Sequence, residues 1–402
     1  MKAIFRFTHF FLFIFMLLPD ISVYGQGTDD DYLKIGGAVR FNIIQTWYES
    51  EPSQLNTAMT WDTWRLNIDA RKSGIDLSFE YRFYPTFGTH FIHHGYMGYG
   101  FSDKLYMSLG VSQVPFGIQP FASHSWWFQG PYYVGLEDDY DMGIKFDYQA
   151  TDKLKLSFAY FRQAEPEGPF AGGNVTFGNS GPGRYSYDII PGSGGHYLPS
   201  TGTIETVDAD IRELDHFNFR AAYQLKPGIE VGASAQLGSI YNSSLNKSKA
   251  ATAFAAHIDA TEGRWNFKGE FVSYNYQALD NSGLKLDLVQ MGAYGSAYDV
   301  AAKANMYVAG LAYSIPVDFG PVTSLQAYLD YTLIDKLQDA FADTHHLIPG
   351  CMIAAGNIYM YVDYAMGKNQ PWLTDTFGKG LGMGDPKADW NKRLNINIGY
   401  YF

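Results

Sequence analysis

Along most of this chain, apolar and polar residues alternate one for one. In the run Leu33–Trp47, Leu33, Ile35, Val39, Phe41 and Ile43 share one face, and Lys34, Arg40, Asn42 and Thr46 share the other. Trp64, Leu66, Ile68 and Ala70 interleave with Arg65, Asn67, Asp69 and Arg71, and Ile75, Leu77, Phe79, Tyr81 and Phe83 with Asp76, Ser78, Glu80, Arg82 and Tyr84. Strand side chains point to opposite faces at period two, so each run predicts a strand with one apolar and one polar side. The pattern returns near 91–100, 104–114, 139–149, 153–163, 214–225, 228–240, 249–260, 263–276, 302–315, 323–335, 347–355, 357–367 and 391–402, making about sixteen segments. Each is roughly the ten residues a tilted strand needs to cross a bilayer.

The connections alternate between long and short. Tyr48–Met59 is long and Lys72–Ser73 tight. Pro115–Asp138 is long and Ala150–Asp152 tight, while Ala164–Glu213 is very long and Lys226–Pro227 tight. Gln277–Ala301 and Leu373–Trp390 continue the long set, and the turn near Gly356 the short one. A transmembrane β-barrel has this parity, with short periplasmic turns at one end and longer external loops at the other. A barrel of about sixteen strands is too wide for side chains to fill, so its polar stripe must line an aqueous lumen and its apolar stripe must meet lipid. Closure removes the unpaired strand edges that hydrocarbon would not tolerate. The expected fold is therefore an all-β transmembrane antiparallel barrel.

Both termini support export. Lys2 and Arg6 precede the apolar run Phe10–Leu18, and Ser22–Gly25 follow Pro19-Asp20, which predicts a signal peptide over 1–25 and one barrel domain over 26–402. The last strand, Leu394–Phe402, puts Leu394, Ile396, Ile398, Tyr400 and Phe402 on one face. A chain ending on an aromatic residue resembles the carboxy-terminal signal read by the outer-membrane barrel assembly machinery. The expected surroundings are outer-membrane lipid and lipopolysaccharide.

Composition sharpens this picture. Aromatic residues are 17%, glycine 42 of 402 residues and charged residues only 17%, which fits strands with interfacial aromatic girdles. The single Cys351 excludes an intramolecular disulfide framework. The formal charge is −12; losing Lys2, Arg6 and Asp20 with the leader leaves 27 basic and 40 acidic residues, or −13, which argues against a nucleic-acid partner.

The inward stripe supplies the candidate pore-lining residues Arg40, Arg65, Arg71, Arg82, Lys145, Arg220, Asp69, Glu80, Asp141 and Asp330. Each could equally form a cross-strand ion pair in the wall. The aromatic loop Pro115–Asp138 contains no Lys or Arg and suits an inward fold against the wall. Its candidate constriction residues are Phe116, Phe121, Trp126, Trp127, Glu137 and Asp138.

Several stretches resemble the phosphate- and polyphosphate-selective porins, the porin O and porin P family. They are Gly110-Val-Ser-Gln-Val-Pro-Phe-Gly117, Asp139-Tyr-Asp-Met-Gly-Ile-Lys-Phe-Asp-Tyr148, Gly356-Asn-Ile-Tyr-Met-Tyr-Val-Asp-Tyr364 with Gly367-Lys-Asn, and the terminal Phe402. The resemblance implies a sixteen-stranded, usually trimeric barrel with inward loops, and anion selectivity carried by lumen arginines and lysines near the constriction, for which Arg40 and Arg65, on the first two strands, are the best candidates here. This chain departs from it in the absence of third-loop cations and in its acidic balance.

Other chemistry is sparse. Gly192-Ser-Gly-Gly195 reads as loop glycine with no helix to follow. His93-His94 and His345-His346 have no partnered Cys or spaced acid, and Glu137, Asp138, Asp139 and Asp141 lack calcium-loop spacing. No metal, cofactor or catalytic residue is expected. The expected function is a channel for passive diffusion of small hydrophilic solutes or ions, including anions such as phosphate. The alternative is a barrel with an occluded pore, acting as an adhesin, structural protein or surface enzyme.

Overall fold

The structure, a computed structural model, describes residues 31–48, 57–168, 181–374 and 377–402. The expected signal peptide lies outside the described residues. No helix among them is long and apolar enough to cross a membrane.

Sixteen antiparallel strands close into a barrel. In order they are β1 (Tyr32–Thr46), β2 (Thr57–Lys72), β3 (Ile75–Tyr84), β4 (Thr89–Ser102), β5 (Leu105–Gln113), β6 (Tyr140–Thr151) and β7 (Leu154–Ala164). The fourth external loop then contributes two strands outside the barrel wall, β8 (Asp188–Leu198) and β9 (Thr203–Ala209). The wall resumes with β10 (Ile211–Lys226), β11 (Ile229–Asn242), β12 (Lys247–Glu262) and β13 (Trp265–Tyr276). A second loop hairpin, β14 (Leu288–Ala293) and β15 (Ser296–Ala301), precedes β16 (Lys303–Phe319), β17 (Val322–Lys336), β18 (Thr344–Ala355), β19 (Ile358–Lys368) and β20 (Asn391–Tyr401). All sixteen segments read from alternation are wall strands.

The faces are as expected. Ile35, Leu77, Ile92, Leu109, Phe158, Phe219, Leu237, Phe254, Leu311 and Leu329 are exposed on the outer surface, an apolar band that requires hydrocarbon rather than water around it. Each such side chain, about half exposed, gains on the order of 1 kcal/mol by leaving water. Tight turns carry the left-handed backbone they need: Ser73 and Gly74, at φ 52° and 80°, join β2 to β3 as a two-residue hairpin.

Closure pairs the first strand with the last. β1 bonds to β20 from Ala38 opposite Tyr401 to Thr46 opposite Arg393. Phe402 continues the ladder: Gly37 N–H donates to its carbonyl at 2.8 Å, and its N–H donates to the Gly37 carbonyl at 3.1 Å. The Phe402 ring, 56% exposed, stacks beside Tyr400 on the outer face. Inside the same seam Asn397 Nδ2 donates to Asn42 Oδ1 at 2.8 Å.

One expectation is corrected, for two of the long connections carry strands of their own: β8, β9, β14 and β15 form a four-stranded sheet in the order β15-β14-β8-β9. Gly192–Gly195, read as loop glycine, lies within β8. The glycines admit close neighbours: a Cβ on Gly194 would sit 2.6 Å from the Leu286 side chain. Such a strand has no alternation to betray it, since its side chains are missing where the contacts are closest.

Phe402 makes its contacts on the outer face, so deleting it should reduce the amount of heat-modifiable barrel recovered from membranes while leaving the conductance of assembled molecules unchanged. Normal barrel levels in that deletion would contradict this expectation.

Candidate functional site in the barrel lumen

Three arginines occupy adjacent positions on the inner wall of β1, β2 and β3. Arg65 stands directly opposite Arg82 across β2 and β3, and Arg40 stands opposite Thr63, two residues along β2 from Arg65. Like charges so placed repel unless carboxylates come between them. Glu80 does so on β3, pairing with Arg82 Nε and lying 3.7 Å from Arg65 Nη1. Asp62 Oδ2 lies 2.9 Å from Arg40 Nε, and Thr63 Oγ1 accepts from Arg40 Nη2 at 3.0 Å.

Asp62 escaped the sequence reading because it breaks the alternation. The β1–β2 register slips between Arg40 and Phe41, so β2 carries an extra residue and both Asp62 and Thr63 turn inward. A bulge re-aims a side chain in this way. A second slip between Glu80 and Tyr81 turns both His93 and His94 inward on β4. It supplies the acid that His93-His94 lacked in sequence, since ligand atoms of Glu80, His93 and His94 lie within 4.8 Å of one another. Glu80 is already spent on Arg65 and Arg82, whose charges oppose a metal cation there. His345 bonds to the Tyr331 hydroxyl at 2.9 Å, and His346 is buried against Trp127 and Tyr133.

The third loop runs across the lumen. It leaves β5 and its Pro115-Phe116-Gly117 turn meets the wall at β10 and β11, where Gly117 N–H donates to Ser234 Oγ at 3.1 Å and Arg220 Nε donates to the Gly117 carbonyl at 2.7 Å. Gly117 has φ 59°, and a Cβ there would lie 2.0 Å from Glu270 Oε1, so glycine is required on two counts. Further on, Asp330 Oδ2 of β17 accepts from the N–H groups of His124 and Ser125 at 2.7 and 2.9 Å, and its Oδ1 meets His124 Nδ1 at 2.7 Å. Gly130 N–H donates to Thr332 Oγ1 at 3.0 Å, and Lys268 Nζ donates to the Phe121 carbonyl at 2.7 Å. The cavity left below this junction, lined by Gly130, Tyr133, Thr332, His346 and Leu381, is about 10 Å³, room for at most a water.

The other sequence candidates sort by these contacts. Phe116 and Trp127 are buried, Trp126 is partly buried, Phe121 stays exposed over Lys268, and Arg393 lies over the Trp127 ring at 5.1 Å. Glu137 is buried, accepting from Ala122 N–H at 2.8 Å. Arg71 pairs with Asp76 through two contacts of 2.6 and 3.0 Å, Asp69 accepts from Ser78, and Lys145 donates to the Gln113 carbonyl at 3.0 Å. Of the pore-lining candidates, Asp330, Asp141, Glu80, Arg220 and Arg82 are buried, Asp330 fully so, and Arg82 lies against the Tyr185 ring. The loops that cover them come from distant parts of the chain and leave no mark on the strand pattern.

An aromatic cluster fills the space above the third loop. Tyr132 and Tyr133 pack against Tyr185 and Tyr187 of the fourth loop, Tyr294 and Tyr298 of the β14–β15 hairpin, and Tyr84, Phe91 and Tyr276 of the wall. The phenols bond within it: Tyr132 to Tyr294 at 2.6 Å, Tyr298 to the Tyr133 carbonyl at 2.7 Å and Tyr276 to the Val134 carbonyl at 2.8 Å. Half-buried Asp138 accepts from Gln113 Nε2 at 3.0 Å and from the Tyr185 hydroxyl at 2.6 Å. Burial pushes its carboxyl up to about 6, against the favourable effects of the Tyr185 hydroxyl and Arg82.

No family model matches the chain, and no curated protein matches it. Solved structures of outer-membrane porins share its fold. OmpF of Salmonella typhi, in complex with daunomycin, is 11% identical with a TM-score of 0.60, covering 95% of this chain and 100% of its own. An anion-selective porin from Comamonas acidovorans is 12% identical, with a TM-score of 0.59 and coverage of 93% and 100%. A trimer form of OmpT from Vibrio cholerae is 13% identical, with a TM-score of 0.53 and coverage of 93% and 100%. The architecture is that of a bacterial outer-membrane β-barrel of the porin type.

Two outcomes follow from the loop geometry. Replacing Asp330 by Ala should loosen the third loop by about 2 kcal/mol, the usual loss for a buried bond to a charged group, and speed chymotrypsin cleavage within 115–138. Unchanged cleavage would show that the loop is held elsewhere. Asp138 is neutral below about pH 6 and ionised above it, so lowering the pH from 7 to 5 removes a negative charge beside Arg82. If current passes there, the reversal potential should move toward anions with a midpoint near pH 6, and Asp138→Asn should abolish that component.

Proposed function

We propose that this chain is an outer-membrane channel through which small hydrophilic solutes or ions diffuse passively. On this reading the third loop is its constriction and the preference is weakly anionic. The observation that carries the reading is the arginine row on β1–β3. Passage through a pore depends on its radius and the charges lining it. Arg40 and Arg82 are matched by Asp62 and Glu80, while Arg65, 3.7 Å from Glu80, keeps the looser partner, so the row carries one positive charge beyond its own carboxylates, offset above about pH 6 by the loop carboxylate of Asp138 beside Arg82. Arg40, Arg65, Arg71, Asp69 and Lys145 are the pore-lining residues retained.

The resemblance to porins O and P supports an anion preference through Arg40 and Arg65. The third loop, without Lys or Arg, adds no second cationic station, so strong phosphate selectivity is not part of the proposal. The same resemblance and the trimer form of the Vibrio cholerae protein support a homotrimer. Residues 1–25 act as the export leader, the remainder as one barrel domain, and Phe402 as the element read by the assembly machinery. A second reading, an occluded barrel working through its external surface, draws on the aromatic cluster that packs the outer half of the lumen.

Planar-bilayer recording of the purified full-length protein separates the two. Step conductances are expected, with a mild anion preference. A unit charge about 4 Å from an ion in water is worth about 1 kcal/mol, so Arg65→Ala should shift the permeability ratio toward cations by up to about fivefold. Absence of steps would overturn the channel and favour the occluded barrel.

A further inference from the structure

Where the third loop rejoins the wall, five carboxylates converge in a space nearly closed to solvent. Asp139 ends the loop, Asp141 is an inward residue of β6, Asp188 opens β8, Glu165 follows β7 and Glu213 lies early in β10. Asp139, Asp141 and Asp188 are at most 5% exposed, and one carboxylate oxygen of each lies within 4.8 Å of the other two. Positive charge is scarce. Arg184 Nη1 donates to Asp188 Oδ2 at 3.0 Å, but its Nη2 turns away to Glu167 at 2.7 Å. Glu213 accepts from the Ile189 N–H at 3.1 Å and faces His216 Nδ1 at 3.6 Å. Unpaired buried charge costs several kcal/mol per ion, so this cluster needs a neutralising partner.

The unmet hydrogen bonds point the same way. Asp139 Oδ1, Asp141 Oδ1 and Glu165 Oε2 are buried acceptors without a donor. Glu165, 2% exposed, spends Oε1 on the N–H groups of Tyr185 and Ser186 at 3.2 and 2.8 Å, and its side chain also reaches Asp188. Several anionic oxygens, no nitrogen or sulfur donor among them and spacings up to 4.8 Å suit an ion with oxygen ligands at about 2.4 Å, which is calcium; magnesium, at about 2.1 Å, wants a tighter octahedron.

We propose that Asp139, Asp141 and Asp188, backed by Glu165, form a calcium site that ties the base of the third loop to β6 and to the fourth-loop sheet. Burial, with mutual repulsion second, pushes the Asp139 and Glu165 carboxyls well above the ordinary carboxylate range, a condition a bound dication relieves. The site joins the junction of the third loop and β6 to the start of β8 in the fourth loop, so the ion holds the loop assembly in place independently of whether solutes pass beside it.

Terbium is a direct probe, because Tyr185 and Tyr140 lie beside the cluster and can sensitise its emission. The purified full-length barrel, stripped with EDTA, should show saturable tyrosine-sensitised terbium emission that calcium displaces and magnesium at equal concentration does not. Calcium affinity in the range of extracellular modules, about 10⁻⁴ M, is expected. The double variant Asp141→Asn with Asp188→Asn should weaken it at least about tenfold, and calcium should slow chymotrypsin cleavage of the wild-type loops. A wild-type barrel with no calcium-displaceable emission would overturn the proposal, with protons then neutralising the cluster. Unchanged emission in a double variant that keeps its strand content would overturn the assignment of these ligands.

Discussion

Everything in this molecule follows from the demand that no backbone N–H or C=O meet hydrocarbon unpaired. Sixteen strands satisfy it only by closing, and β1 closes onto β20 through a ladder that runs to the last residue. Closure sends every second side chain inward. The polar stripe that lipid would reject is thereby concentrated in a lumen too wide for side chains alone to fill.

That interior is then furnished from the loops. The third loop brings its own backbone donors to Asp330, Thr332 and Ser234 of the far wall, so the wall's polar groups become anchors instead of solvated surface. Tyrosine suits the remaining space because its ring buries apolar area while its hydroxyl finds a carbonyl or a second phenol. The same exclusion of water that tightens these bonds makes each unmatched charge expensive. Basic residues on β1–β3 are therefore interleaved with Asp62 and Glu80, whereas the acids at the base of the third and fourth loops share one arginine, Arg184, and leave oxygens of Asp139, Asp141 and Glu165 without a donor.

Two bulges show how small departures from alternation set the chemistry. One extra residue in β2 brings Asp62 and Thr63 together onto Arg40, and one in β4 brings His93 and His94 together beside Glu80. A one-residue slip changes which face a side chain occupies, so a strictly alternating reading places one member of each pair outside. The arginines themselves lie on unbroken stretches, which is why Arg40, Arg65 and Arg82 were legible and Asp62 was not.

The sequence by itself determined the strands, their lipid and lumen faces, the parity of the connections and the inward set that contains the arginine row. Each of these rests on period-two alternation, a local property that a run of about ten residues displays in full. Only the tertiary structure decided that β8, β9, β14 and β15 make a sheet, that Asp330 lies under His124 rather than facing water, and that Asp139, Asp141 and Asp188 share one buried space. Those outcomes join residues as far apart as the 206 positions between His124 and Asp330. Contacts of that kind depend on the closed barrel to bring distant segments together, and no local pattern in the chain encodes them.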